Sequence, residues 1–121
     1  MSTNIFTLQS QIGARMILDI DADETLEADL RGGATTLHRV RIDNTANTAA
    51  TYVKFYDATS ATVGTSAPYM VIKAAAGKVT KLAILGGLAF ANGLSVAAVT
   101  AGGTGGTTGP SAACLVRLHT A

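Results

Sequence analysis

Residues 67–99 read APYMVIKAAAGKVTKLAILGGLAFANGLSVAAV and hold most of the apolar side chains that the chain can bury. Two structures compete for this stretch. No charged residue occurs between Leu82 and Val116, and the 19 positions of residues 82–100 match the length of a membrane-crossing helix. Against a helix stand Gly86-Gly87 and Asn92-Gly93, poor helix formers and strong turn formers placed inside the run.

The phase of the side chains favours a sheet. A strand shows one face at every second residue, so slipping the register by one residue inverts it. A three-residue loop at Ala91-Asn92-Gly93 pairs Phe90 with Leu94 and Leu88 with Val96, gathering the large apolar groups on one face. Gly93 would supply the left-handed position of that loop. In the same way, a loop over residues 75–79 joins Met70, Ile72 and Ala74 to Thr80, Leu82 and Ile84. The expectation is two hairpins with coherent faces, Lys73, Lys78 and Lys81 lying near one loop end.

Outward from this centre, the pattern stays β-like. Residues 15–20 offer a short strand centred on Met16-Ile17-Leu18. Residues 37–43, LHRVRID, alternate so that His38, Val40 and Ile42 share one face, with Leu37, Arg39, Arg41 and Asp43 on the other. Residues 51–57, TYVKFYD, set Val53 and Phe55 against Tyr52, Lys54 and Tyr56, and both strands have the half-wet pattern of sheet strands with one face exposed. Residues 112–119 bring Cys114, Val116 and Leu118 to one side. Seven or eight strands result, an all-β antiparallel β-sandwich or jelly-roll-like domain over residues 35–121, with residues 1–34 as an N-terminal arm and acidic segment. Ile5, Phe6, Leu8 and Ile12 would be the apolar anchors of the arm.

The chain has 121 residues, the size of one domain. Aromatic residues are 5% and Trp is absent, so Ala, Val, Leu and Ile must build a thin core that association with neighbours can complete. The formal charge of +1 conceals an asymmetry: residues 1–30 carry a net −5 and residues 31–121 a net +6. One part can therefore dock on the other, within the chain or between copies. Cys114 is the single cysteine, which suits a reducing compartment, and the opening MSTNIFTLQSQ has no secretory pattern.

No catalytic, cofactor or metal site emerges. Asp19, Asp21 and Asp23 have the spacing that begins a calcium loop, but Glu24 stands where the turn needs Gly and Leu30 where a bidentate Glu belongs. The segment serves equally as a short helix or an acidic loop ended by Arg31-Gly32-Gly33. Gly109-Pro110-Ser111-Ala112-Ala113 lacks the last glycine of a nucleophile elbow. The run from Gly102 to Gly109 has neither a dinucleotide fingerprint nor a Gly-Lys-Ser/Thr, and residues 100–111 are expected to be a flexible loop that either projects or is ordered by contact with something else. Cys114 and His119 fall on opposite faces of one strand and cannot converge on zinc. Arg39 and Arg41 with Tyr52 and Tyr56 do not make the basic stripe that nucleic acid requires.

Residues 44–110 are similar to small β-domain proteins encoded among the virion genes of tailed bacteriophages. Tyr52-Val53-Lys54-Phe55-Tyr56, Val63-Gly64-Thr65 with Pro68, and residues 87–94, GLAFANGL, carry the resemblance. It implies a non-enzymatic structural protein of the virion, assembled in the host cytoplasm: a capsid decoration or cement protein on the major capsid protein, or a tail, baseplate or fibre module. It also implies a homo-oligomer, a homotrimer first of all, with no cofactor, nucleic acid or membrane partner. A small membrane protein of lysis type, using residues 82–99 as its span, is the competing class.

Overall fold

A computed structural model describes residues 3–7, as backbone, and residues 15–121. Eight strands form: β1 (Thr3–Thr7), β2 (Arg15–Ala22), β3 (Thr35–Asp43), β4 (Thr51–Asp57), β5 (Met70–Ala74), β6 (Val79–Phe90), β7 (Leu94–Val99) and β8 (Cys114–Thr120). They make two antiparallel sheets, a five-stranded one in the order β1-β2-β8-β3-β6 and a three-stranded one in the order β5-β4-β7. The all-β sandwich expected from the sequence is the fold. Apart from the backbone of β1, paired with β2, the expected arm lies outside the described residues. The boundary placed at 34/35 falls between β2 and β3, two strands of one sheet.

The pairings nest like a long hairpin rolled on itself. At its centre β4 pairs with β5; outside them β3 pairs with β6, then residues 23–30 with β7, then β2 with β8. Closing pairs β3–β8 and β4–β7 complete the roll. This nesting is a jelly roll, whose strands alternate between sheets at the corners.

It also corrects the two expected hairpins. Phe90 ends β6 opposite Thr35 in one sheet, whereas Leu94 begins β7 opposite Asp57 in the other. Residues 91–93 are a corner, held by the Asn92 N–H donating to Asp57 Oδ1 at 2.9 Å. Gly93 does not take the left-handed conformation; it is glycine because a Cβ there would press on the Ala58 carbonyl oxygen at 3.0 Å. Likewise β5 pairs with β4 and β6 with β3, so residues 75–78 cross between sheets.

Alternation fills the core from both sheets: Ile17, Val40, Ile42, Val116 and Leu118 face Val53, Phe55, Leu94 and Val96. Leu37 joins them, against its expected phase, because the β3–β6 and β3–β8 registers shift between Leu37 and Arg39. At one end Asn44, wholly buried, ties the layers together: its Nδ2 donates to the carbonyls of Ala49, Ala74 and Ala75, and its Oδ1 accepts from Asn47 Nδ2 and Thr51 Oγ1. A buried amide with its bonding capacity used is rigid and specific to this arrangement of strands.

Of the two expectations for the glycine-rich residues 100–111, ordering by contact is the one that holds. These residues lie over the outer face of the three-stranded sheet, where Lys54 Nζ donates to Gly103 O at 2.6 Å and Gly106 O at 3.2 Å. A Cβ on Gly102 would strike the Tyr52 ring. The half-wet face expected for β4 is therefore dry, with Lys54 and Tyr56 both buried. Burial lowers the Lys54 pKa, and the two carbonyl oxygens solvate its charge.

Candidate functional site

The two sides of the roll are finished differently. On one side β1 extends the sheet beyond β2, and residues 23–30 run along β7 through Glu27 N–H to Val96 O (2.8 Å), Val96 N–H to Glu27 O (3.0 Å) and Leu30 N–H to Leu94 O (2.8 Å). Of the two expectations for that segment, a short helix or an acidic loop, the loop is what forms: a strap laid along β7, bridged to it at Glu27 and Val96, with Asp29 in the left-handed region at φ +48°. Its carboxylates serve it locally: Asp23 Oδ1 accepts from Thr25 N–H and Asp29 Oδ1 from Gly33 N–H, both at 2.9 Å. Asp19 is buried beside them, and desolvation raises its pKa to about 6 despite the hydrogen bond from Asp21 N–H.

On the other side β5 and β6 are terminal strands, and among the described residues nothing pairs with their free edges. Of the six large apolar side chains exposed among those residues, five belong here: Tyr69, Val71, Val79, Leu82 and Leu85. Tyr69, just before β5, packs edge-on against Phe90 at the end of β6, ring centroids 5.1 Å apart. A long, bare, apolar edge is what soluble monomers avoid, because its unpaired N–H and C=O groups template further strands.

A bulge sharpens this edge. Leu37 pairs with Leu88 and Arg39 with Ala83, so Ile84, Leu85, Gly86 and Gly87 all stand opposite His38. Gly86 and Gly87 have φ of +79° and +81°, a conformation that side chains resist, and one on Gly87 would collide with Thr36 and His38. The glycine pair was read from the sequence as a turn between strands; it turns the chain within one strand. Its product is Leu85, exposed at 102% of its reference area. His38, Arg39, Ala83 and Ile84 border a shallow depression of about 300 Å³ at its base.

The outer face of the five-stranded sheet adjoins this edge and is basic. Arg41 pairs with Arg117 on one side and Lys81 on the other, and Arg39 pairs with His119. The five side chains line an open depression of about 470 Å³. Burial, then the charges of Arg39 and Arg117, lowers the His119 pKa. Arg117 Nε is buried without a hydrogen-bond partner among the described residues. Asp43, on the same face, is engaged by Thr45 through both N–H and Oγ1, which lowers its pKa.

The remaining sequence candidates are not brought together. Cys114 is buried and His119 faces outward; Arg39 and Arg41 lie on the opposite face of the sandwich from Tyr52 and Tyr56. Among the described residues no group of three or more His, Cys, Asp and Glu is placed to hold a metal, and no helix is long and apolar enough to cross a membrane. No family model matches the chain, and no curated protein or solved structure matches it.

Proposed function

We propose that the chain is a non-enzymatic structural subunit of a phage virion, a decoration or cement protein that stabilises the head by binding its shell and further copies of itself. The observation that carries this reading is the bare β5/β6 edge with Leu85 at its tip. An apolar anchor that gives the monomer nothing is suited to filling a pocket on a partner, where burying a leucine is worth about 1.5–3 kcal/mol. Strand addition along β6 would supply main-chain hydrogen bonds at the same time. The resemblance of residues 44–110 to virion proteins of tailed phages names the setting, and the jelly roll is a fold that capsid domains use among many others.

The test is co-sedimentation of the protein with empty heads and with tails, comparing wild type with Leu85→Asp. Saturable binding to heads, weakened about tenfold or more by the substitution, is the expected result. Binding to tails alone would replace the head with the tail or baseplate as its place. A monodisperse monomer that ignores both particles would remove the proposal.

A further inference from the structure

We propose that the basic outer face of the five-stranded sheet is a carboxylate-binding surface, and that its occupant is the acidic strap of a second copy of the chain. The inference rests on the assembly reading above and names a contact distinct from the β5/β6 edge.

Like charges in cross-strand register repel, so a row of Arg117, Arg41 and Lys81 costs the isolated monomer stability. Only Asp43 offsets it among the described residues, through its attraction to Arg41, and its hydrogen bonds are spent on its own turn; Arg117 Nε, buried and unpartnered, still lacks an acceptor. Arginines present a planar fork of donors that matches carboxylate geometry, and two of the three on this face are adjacent through His119.

The chain carries the complement itself, with six of its eight acidic residues in residues 1–30. Within one molecule the two surfaces cannot meet. The strap is pinned by backbone hydrogen bonds to β7, including Ala98 N–H to Asp23 O at 2.7 Å, and β7 belongs to the other sheet. Glu24 is exposed there, and Asp23 and Asp29 keep lone pairs beyond those bound to their turns. Neutralisation must come from outside.

A second copy fits better than a phosphate polymer, because the net charge of +1 and the strap's own negative charge give nucleic acid little overall attraction. Two different patches that complement one another make a head-to-tail contact, which closes into a ring when its rotation divides a full turn. A homotrimer would be one such ring.

Sedimentation velocity on the full chain at about 50 mM and about 500 mM salt tests the contact, since screening weakens exposed charge pairs. Wild-type self-association should weaken about tenfold or more at high salt. Arg39→Glu/Arg41→Glu and, separately, Glu24→Lys should each abolish it, and an equimolar mixture of the two variants should associate pairwise, because the unaltered strap of the first meets the unaltered basic face of the second. Thermal unfolding checks that both variants fold; Glu24→Lys, at an exposed side chain, carries the test if the double variant does not. Association indifferent to salt and to both substitutions would overturn the contact while leaving the edge reading intact, and so would a mixture that stays monomeric. Binding of polyphosphate or DNA that is lost in Arg39→Glu/Arg41→Glu, with self-association unchanged, would also overturn it. Leu85→Asp should keep the salt-dependent association, which separates the two readings.

Discussion

The two sides of the sandwich use similar apolar material to opposite ends. On the covered side, β7 is buried along its whole length, and the strap completes its hydrogen bonding. On the bare side, β6 is twice as long, yet only Phe90 of its twelve residues is buried. Hydrophobic sequence alone does not distinguish them. What differs is whether another described segment of the chain satisfies the strand edge; where one does, the apolar residues stabilise the monomer, and where none does, they stay exposed.

The largest expected effect breaks the covered side. Leu30 anchors the strap in the core and its N–H donates to Leu94 O, so Leu30→Ala should cost about 2–4 kcal/mol, read as a lower urea midpoint. Amide exchange at Val96, which donates to Glu27 O, should quicken with it. A loss below about 1 kcal/mol would mean that the strap merely rests on β7.

Asp19 sharpens the same side through pH. Its folded pKa, about 6, lies above the ordinary 3.8, so between those values the native state holds a proton that the unfolded state has released. Stability from this group is therefore fullest below about pH 4 and falls as pH rises through 6. Above pH 6 the buried carboxylate, facing Asp21, Asp23 and Glu27, costs on the order of 2 kcal/mol. Asp19→Asn keeps an oxygen for the Asp21 N–H and removes the charge. Urea unfolding should show the variant more stable by about that amount at pH 8 and by little at pH 4; equal gains at both would assign the effect to packing.

Much of this fold was legible in residues 37–57 and 112–119, where period-two alternation correctly placed Val40, Ile42, Val53, Phe55, Cys114, Val116 and Leu118 in the core. Topology was not. A hairpin sets Phe90 and Leu94 side by side on one face, and a corner sets them in facing sheets; both bury them, so phase cannot choose. Leu37 needed knowledge of the register shift, which depends on where β6 bulges. Lys54 read as solvent-facing because its lid is a glycine loop some fifty residues later, a contact that leaves no local pattern. The strap was legible as an acidic loop, but its backbone bonds to β7 follow no local pattern. The bare edge was present in the sequence as Leu82, Leu85 and Gly86-Gly87, but only the pairing map reveals that no neighbour among the described residues covers it.

The smallest expected effect is the most telling about the bare side. Leu85→Ser should change the unfolding free energy by no more than about 0.5 kcal/mol, because a side chain as exposed in the native state as in the unfolded one loses no burial when shortened. The denaturant slope should stay constant too, since the surface uncovered on unfolding is the same. A destabilisation above about 1 kcal/mol would show that Leu85 packs within the monomer, and the contrast between the two sides would fail at its most exposed point. Ordinary stability with weakened binding to heads, on the other hand, would separate what this leucine does for the fold from what it does for assembly. The φ of the two glycines behind it would then be explained: they hold an apolar side chain in water, where only a partner can bury it.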